Sequence, residues 1–289
     1  MNTLRERILY LHYAVEVDAS LVGRMYTSDP TLKTPFSMTP QSLASSFTIR
    51  YERAKRIHDR LIKLRKLDIS TELNRRGIGW MCRFDSNYPV RLTFIYDPPS
   101  VLFYQGDADL LSQPSPLAVI GSRKPSIEAK HLIEHLLHPL HSNSTLVVSG
   151  LAEGIDALAH KWALRHHVPT VAVLGSGFNH VYPSSNTTLA KSIIQKNLLL
   201  SEYPPDCRPQ KWHFPQRNRI IAGLSNAVLI VEATEKSGSM ITVNFALEQG
   251  KEVLAVPGSP LKMQARGCLR LIQEGAKVVV SSIDIMEEI

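Results

Sequence analysis

Short runs of apolar residues recur along the chain from about residue 100 onwards, and polar turns separate them. Several runs are continuously apolar, which is typical of strands that are buried on both faces of a sheet. The pattern predicts strands at 101–104, 117–120, 145–149, 170–174, 197–201, 227–231, 252–256 and 277–280.

Stretches of helix length lie between these runs. The pattern predicts helices at 127–140, 155–166, 185–195, 240–249 and 267–273. Strands that alternate with helices in this way form an open parallel sheet with helices on both faces. We therefore predict an α/β fold with a doubly wound, mostly parallel sheet.

The first 75 residues carry a different pattern, which predicts helices only. Thr39 is suited to cap a helix that begins at Pro40. One face of this helix is apolar at Leu43, Phe47, Tyr51, Ala54, Ile57, Leu61 and Leu64. The other carries Arg50, Arg53, Lys55, Arg56, Arg60, Lys63, Arg65 and Lys66. We expect one long helix, whose basic face either meets phosphates or, as we favour, is an ordinary solvated surface.

Charge is distributed unevenly along the 289 residues. The net charge is +7, and residues 1–80 hold 14 Lys and Arg against 8 Asp and Glu, whereas the remainder holds 19 against 18. An excess of this sign is compatible with an anionic partner such as nucleic acid. No uncharged apolar run approaches the ~18 residues of a membrane span, so we expect no membrane partner. The three scattered cysteines favour a reducing compartment over a disulfide framework.

Loops rich in small residues follow several of the predicted strands. Parallel strands end at the same edge of a sheet, and glycines there let the backbone approach a ligand closely. The helix that follows such a loop adds unpaired N–H groups, which favour phosphate. The loop residues with this potential are Gly121, Ser122, Arg123, Ser149, Gly150, Gly154, Gly175, Gly177, Ser237, Gly238 and Ser239. We prefer phosphate binding to turn geometry alone as the reason for them.

The most distinctive segment, residues 214–225, contains two arginines that flank an asparagine. Arg217 and Arg219 would grip phosphate oxygens with Arg123 opposite them. The alternative, which we weigh equally, is that the pair caps a helix or pairs with Glu202 or Glu232. Just upstream of the arginines, Trp212, His213 and Phe214 have the faces on which bases stack.

Other chemical signatures are absent or incomplete. The chain has no P-loop, and Gly175-Ser176-Gly177 lacks the third glycine of a dinucleotide fingerprint. His131, Glu134 and His135 match a zinc-protease pattern, with His138 and His141 nearby. We expect no metal there, because no third ligand is evident. His160 is more suited to a structural than to a catalytic role.

The glycine loops and the arginine segment resemble, in order, the motifs of the DprA/Smf family of DNA-processing proteins. The matching segments are Gly121-Ser122-Arg123, Ser149-Gly150-Leu151-Ala152, Gly154-Ile155-Asp156, Ala159-His160, Phe214-Pro215, Arg217 to Ser225, Val231-Glu232-Ala233, Ser237-Gly238-Ser239, Ala255-Val256-Pro257-Gly258, Leu271-Ile272 and Gly275-Ala276. The resemblance implies that a DNA pocket is lined by Gly121, Ser122, Arg123, Arg217, Asn218, Arg219, Ser237, Gly238 and Ser239.

The resemblance also implies an architecture and a role. It implies an extended Rossmann-like domain over residues 80–289, after a small helical accessory domain of the SAM or helix-hairpin-helix type over residues 1–75. The implied role is to protect incoming single-stranded DNA during natural transformation and recombination, without sequence specificity, and to load RecA onto it. A homodimer, a cytoplasmic location, no cofactor and no catalytic turnover are implied as well. The family's C-terminal winged-helix domain is not expected, since the chain ends soon after the last predicted strand.

Two other functions remain open. One is that of a LOG-like nucleoside-monophosphate phosphoribohydrolase, but the run 236–242 lacks that family's glycine-rich motif and its glutamate. Glu232 is then the acid/base candidate, or else a residue that orders a loop. The other is a nucleotide sensor without turnover. We favour DNA binding over both.

Overall fold

The computed structural model describes residues 3–142 and 145–289. The fold divides into two compact units. The first comprises the described residues up to 88 together with 96–103, and the second comprises 89–95 together with 104–289. No helix among the described residues is long and apolar enough to cross a membrane.

The first unit is mainly helical, as the sequence predicts. Its elements are α1 (Leu4–Ala14), α2 (Ala19–Ser28), α3 (Pro40–Phe47), α4 (Tyr51–Leu64), α5 (Ile69–Arg75), β1 (Gly79–Cys82) and the first residues of β2 (Val101–Gly106). Side chains of Thr3, Asp18, Thr39 and Asp68 accept a hydrogen bond from the first turn of their helices. These caps satisfy backbone N–H groups that a helix start leaves unpaired. Strand β1 was not predicted.

The basic segment after Thr39 forms two helices, so the prediction of one long helix was wrong. Helix α3 ends where Thr48 adopts a left-handed conformation with φ 50°. The N–H groups of Thr48 and Ile49 both turn back to the carbonyl oxygen of Ala44, which ends the helix. The apolar face is nevertheless buried in both helices, with the exception of the partly exposed Tyr51 and Leu64.

The second unit contains a doubly wound parallel sheet, which confirms the predicted fold class. Its strands are β3 (Ser115–Ile120), β4 (Thr145–Ser149), β5 (Thr170–Leu174), β6 (Leu198–Ser201), β7 (Ala227–Ile230), β8 (Glu252–Ala255) and β9 (Lys277–Val278). They lie in the order β6-β5-β4-β3-β7-β8-β9, and every pair is parallel. The chain leaves β3 first towards β4 and later returns to its other side as β7. The carboxyl end of β3 is therefore the point at which ligands of such sheets bind.

Eight α-helices accompany this sheet in the described part of the chain. They are α6 (Val90–Thr93), α7 (Ala129–Leu137), α8 (Ile155–Arg165), α9 (Thr187–Ile194), α10 (His213–Leu224), α11 (Ser239–Glu248), α12 (Met263–Gln273) and α13 (Ser282–Met286). Helix α10 was not predicted, although its sequence was singled out. The helix after Gly121-Ser122-Arg123 begins only at Ala129, so a loop of five residues separates the glycine turn from it.

The central strands of the parallel sheet are deeply buried. All residues of β4, β5, β6 and β7 are buried. One face of β3, β4 and β7 packs on α7 and α8 through a large cluster that includes Ile133, Ile155 and Trp162. The loops at the carboxyl edge thus follow strands that are fully buried.

Candidate functional site

A cleft of ≈ 830 Å³ opens at the carboxyl edge of the sheet, beside the end of β3. Its walls come from the loop after β3, the loop after β4, the start of α10 and the start of α11. The lining residues are Ile120, Gly121, Ser122, Arg123, Lys124, Ala152, Asp156, Tyr182, Lys211, Phe214, Pro215, Arg217, Asn218, Ile221, Thr234, Ser237, Gly238, Ser239, Ile241, Thr242, Met263 and Gln264. A smaller cavity shares Arg123, Tyr182, Phe214 and Arg217 with this cleft.

Most residues expected at a phosphate or DNA site lie at this cleft. Those on its walls are Gly121, Ser122, Arg123, Phe214, Arg217, Asn218, Ser237, Gly238 and Ser239, and Gly150 lines the smaller cavity. Five other candidates are not among the lining residues of either cavity, namely Ser149, Gly154, Gly175, Gly177 and Arg219.

Most of the predicted site glycines also let loops pack closely against one another. A Cβ on Gly121 would lie 2.6 Å from Ile155, and one on Gly175 would lie 2.8 Å from the Phe214 ring. Gly154 has φ +79°, and a Cβ there would clash with the carbonyl oxygen of Ser122. Gly177 likewise packs on the backbone of the next loop. Only Gly238, of the predicted site glycines, faces open space among the described residues.

Three exposed cations stand on the cleft walls. They are Arg123, Lys124 and Lys211. The only carboxylate among the cleft's described lining residues is that of Asp156. The cleft is therefore electropositive, as an anion site must be. Lys124 and Lys211 were not predicted from the sequence, and only their exposure beside the cleft identifies them.

Arg217 forms the floor of the cleft. Its side chain is buried, and its guanidinium donates to the carbonyl oxygens of Gly150, at 2.6 Å, and Val173. Its Nε donates to Asn218 Oδ1 at 3.1 Å. Burial lowers the pKa of Arg217 to about 10, so the group stays charged at neutral pH. Arg217 thus holds the ends of β4 and β5 together and adds positive potential to the cleft. The sequence had instead predicted that its guanidinium would bind phosphate oxygens directly.

Asp156 balances part of this buried charge. It is buried at the start of α8 and accepts from the backbone N–H groups of Gly150, at 3.1 Å, and Ala152, at 3.4 Å. Burial raises the pKa of Asp156, and the nearby Arg217 opposes that rise. Leu151, between these N–H groups, has a positive φ of 55°. The loop after β4 is therefore shaped around this carboxylate, which was not predicted as a site residue.

Arg219 does not face the cleft, which corrects its assignment as a phosphate ligand. Its guanidinium makes two hydrogen bonds of 2.9 and 2.8 Å to the carboxylate of Glu202, and both side chains are buried. The pairing with Glu202 that we considered as an alternative is thus confirmed. Ser149 is also used internally, since its hydroxyl donates to the Val119 carbonyl oxygen at 2.6 Å.

Aromatic rings stand beside the cations. Phe214 packs against Tyr182 with ring centroids 5.3 Å apart, and half of Tyr182 is exposed. Trp212 is also exposed. His213, in contrast, is buried under Tyr203 with a centroid distance of 4.0 Å, and burial lowers its pKa. Tyr182 and Phe214 therefore offer faces for a base, whereas His213 does not.

The start of α11 closes the cleft opposite α10. The hydroxyl of Ser239 donates to the carbonyl oxygen of Gly121 at 2.7 Å, which ties this helix to the loop after β3. The hydroxyl of Ser237 has no hydrogen-bond partner among the described residues. Beside it, the exposed Gly238 begins the helix, and backbone N–H groups at such a start favour anions.

Glu232 orders the loop after β3. Its two carboxylate oxygens accept from the backbone N–H and the hydroxyl of Ser126. Of its two proposed roles, the loop-ordering one is therefore confirmed.

Comparisons with known proteins agree with one another. Residues 79–289 match the sequence profile of the family described as DNA recombination-mediator protein A. The chain is 46% identical to the DNA processing protein DprA of Bacillus subtilis (strain 168), over 74% of this chain and 72% of the relative.

Two solved structures are similar as well. One is DNA processing protein A from Streptococcus pneumoniae, with a TM-score of 0.83 and 36% identity, covering 96% of this chain and 97% of that one. The other describes the single-stranded DNA binding mode of DNA processing protein A from Helicobacter pylori. It has a TM-score of 0.65 and 30% identity, covering 73% of this chain and 94% of that one.

Proposed function

Because the chain belongs to the DNA recombination-mediator protein A family, we propose that it binds single-stranded DNA in the cleft at the carboxyl edge of its parallel sheet. The observation that carries this proposal is the meeting of exposed cations and aromatic rings on the same walls. Arg123 and Lys211 stand there with Tyr182 and Phe214. The similar protein from Helicobacter pylori binds single-stranded DNA.

The chemistry of the cleft suits a single strand. Arg123, Lys124 and Lys211 would neutralise successive phosphates, and the helix start at Gly238 would receive another. The rings of Tyr182 and Phe214 would stack against bases, which are unpaired only in a single strand. Contacts to phosphates and ring faces carry little sequence information. Binding should therefore have low sequence specificity.

The family resemblance extends this proposal to partners. The bound strand would be protected and then passed to RecA, in competition with single-strand-binding protein, and a homodimer would act. For this role in recombination or natural transformation, the protein would be located in the cytoplasm. Its test is RecA filament formation on DNA coated with single-strand-binding protein: the wild type should speed it, and Arg123→Ala should not. Equal rates with and without the wild-type protein would exclude the loading role while leaving DNA binding intact.

Direct binding is tested by fluorescence anisotropy with a labelled oligo-dT, a mixed sequence and a duplex of equal length. We expect similar affinities for the two single strands and a weaker one for the duplex. Tyr182→Leu keeps an apolar side chain but removes the stacking face, so it should weaken oligo-dT binding about tenfold, or ~1.4 kcal/mol. Tyr96→Leu, at a fully exposed tyrosine outside the cleft lining, is the control and should bind as the wild type does. Equal affinity for duplex and single strand would contradict the proposal.

A further inference from the structure

Two histidines and a glutamate converge where α7 and α8 end. Glu134 lies in the last turns of α7, His138 is the C-cap residue of that helix, and His166 is the C-cap residue of α8. Glu134 and His138 are four residues apart on a helix, so they share a face. One potential ligand atom from each of the three residues lies within 4.8 Å of the others. None of the three lines the cleft.

Glu134 and His166 approach each other closely without forming a hydrogen bond. Nε2 of His166 lies 2.9 Å from Oε1 of Glu134. Yet Nε2 is buried and makes no hydrogen bond with any residue in the described ranges, so the carboxylate oxygen is close but poorly aligned. In a tetrahedral zinc site, bonds of 2.0–2.1 Å separate two ligand atoms by about 3.3 Å, and each lone pair points at the ion. A short approach that is not a hydrogen bond fits that arrangement.

We propose that Glu134, His138 and His166 bind a divalent transition-metal ion of the Zn²⁺ class. Two imidazoles and a carboxylate are a donor set that such ions prefer. His138 is exposed, which gives the ion access and leaves room for water as a fourth ligand. No metal was predicted from the sequence, because no third ligand is evident there. The fold supplies His166 for that role, and the ligands on α7 are Glu134 and His138 rather than His131 and His135.

Neighbouring groups hold the ligands in place. The His166 ring stacks on Trp162 with centroids 5.1 Å apart, and His138 packs edge-on against His166 at 5.4 Å. Arg165 competes weakly for Glu134, since its Nη1 is 3.4 Å from Oε2 and both side chains are substantially exposed. An exposed pair at this distance contributes little, so its loss costs little when the ion binds.

The ion would cross-link the ends of two helices that cover the same face of the sheet. An ion that binds only the folded state stabilises that state by mass action. We therefore expect Zn²⁺ to raise the thermal unfolding midpoint. This inference does not depend on DNA binding, because the site uses other residues.

The test is zinc content after dialysis of the full chain against metal-buffered Zn²⁺, measured by mass spectrometry. We compare the wild type with His138→Gln/His166→Gln and with His131→Gln/His135→Gln, which removes two exposed imidazoles from α7 and serves as the matched control. The wild type and the control should hold one zinc more per chain than the first variant, and their unfolding midpoints should rise with zinc. Circular dichroism checks that each variant is folded.

Glu134→Gln gives a second readout that does not remove an imidazole. With Co²⁺ as the probe, the wild type should show visible absorption of a low-coordinate site, and Glu134→Gln should lose it. Equal zinc loss in both double variants would indicate adventitious binding by surface histidines and overturn the proposal. No zinc uptake by the wild type would overturn it as well.

Discussion

Arg217 and Arg219 stand two positions apart on α10, yet their guanidinium groups have different surroundings. Arg217 meets backbone carbonyl groups below the cleft, and Arg219 meets Glu202 away from it. From the sequence, both arginines were candidates for phosphate binding, and Glu202 was one of the two acidic partners considered. The sequence alone does not show which arginine pairs with Glu202. The direction of a side chain depends on the helix that carries it, and α10 was not predicted.

The Arg219–Glu202 pair should matter for stability. Glu202→Gln leaves the size of the side chain almost unchanged but leaves the buried guanidinium without its counter-charge. The expected loss in the free energy of unfolding is about 3–5 kcal/mol. Arg123→Ala, at an exposed side chain, should change it by less than about 0.5 kcal/mol. Urea denaturation measures the free energy of unfolding of both variants. Equal values for Glu202→Gln and the wild type would show that the Arg219–Glu202 pair does not stabilise the fold.

His160 should make stability depend on pH. Its Nδ1 lies 2.8 Å from Thr170 Oγ1, and burial lowers its pKa from 6.5 to about 3. Between these values the unfolded chain binds a proton that the folded chain does not. The free energy of unfolding therefore falls as pH falls through this window, by up to about 1.4 kcal/mol per pH unit.

The variant His160→Asn keeps an N–H donor near the position of Nδ1 and does not titrate. Relative to this variant, the wild type should lose stability between pH 6.5 and pH 4.5, as measured by urea denaturation at several pH values. Parallel pH profiles for the two proteins would contradict a buried neutral imidazole.

Strands were easier to predict than helices at the scale of elements. Continuous apolar runs identify β3 to β8 because burial on both faces leaves few alternatives. Helix ends depend on single residues, and α3 and α4 show this. Their shared apolar period suggests one helix, but the left-handed Thr48 separates them. The periodicity of apolar residues predicts which face is buried, but it does not predict whether the helix continues without a break.

The conformation of Thr48 leads to a prediction with a clear sign. A β-branched residue in the left-handed region costs about 1–2 kcal/mol, part of which glycine recovers despite its greater freedom in the unfolded chain. Thr48→Gly should therefore raise the free energy of unfolding by roughly 0.5–1 kcal/mol. Ser46→Gly, inside α3 and also exposed, should lower it by about 0.5 kcal/mol. Urea denaturation measures both changes in the free energy of unfolding. Opposite signs support the helix break at Thr48, and a lower free energy of unfolding in both variants would refute it.

For the molecule as a whole, the charge excess and the candidate site lie in different parts of the chain. Residues 1–80 hold most of the excess positive charge, 14 Lys and Arg against 8 Asp and Glu. The cleft lies in the sheet-containing unit, where Lys and Arg nearly balance Asp and Glu. The loops of the cleft could be predicted from the sequence, because all of them follow parallel strands. The packing role of the glycines could not be predicted, since close packing between loops is not visible in a sequence.

The salt dependence of oligo-dT binding tests the cleft most directly. Three exposed cations there predict that log K falls with log salt concentration with a slope of about −2, since each neutralised phosphate of a single strand contributes about 0.7. Arg123→Ala should weaken binding and make the slope shallower by about 0.7. Arg165→Ala is the matched control, because Arg165 lies at the far end of α8, about 15 Å along the helix from its start. Unchanged binding and slope in Arg123→Ala, or an equal effect of Arg165→Ala, would contradict the assignment of the cleft as the DNA site.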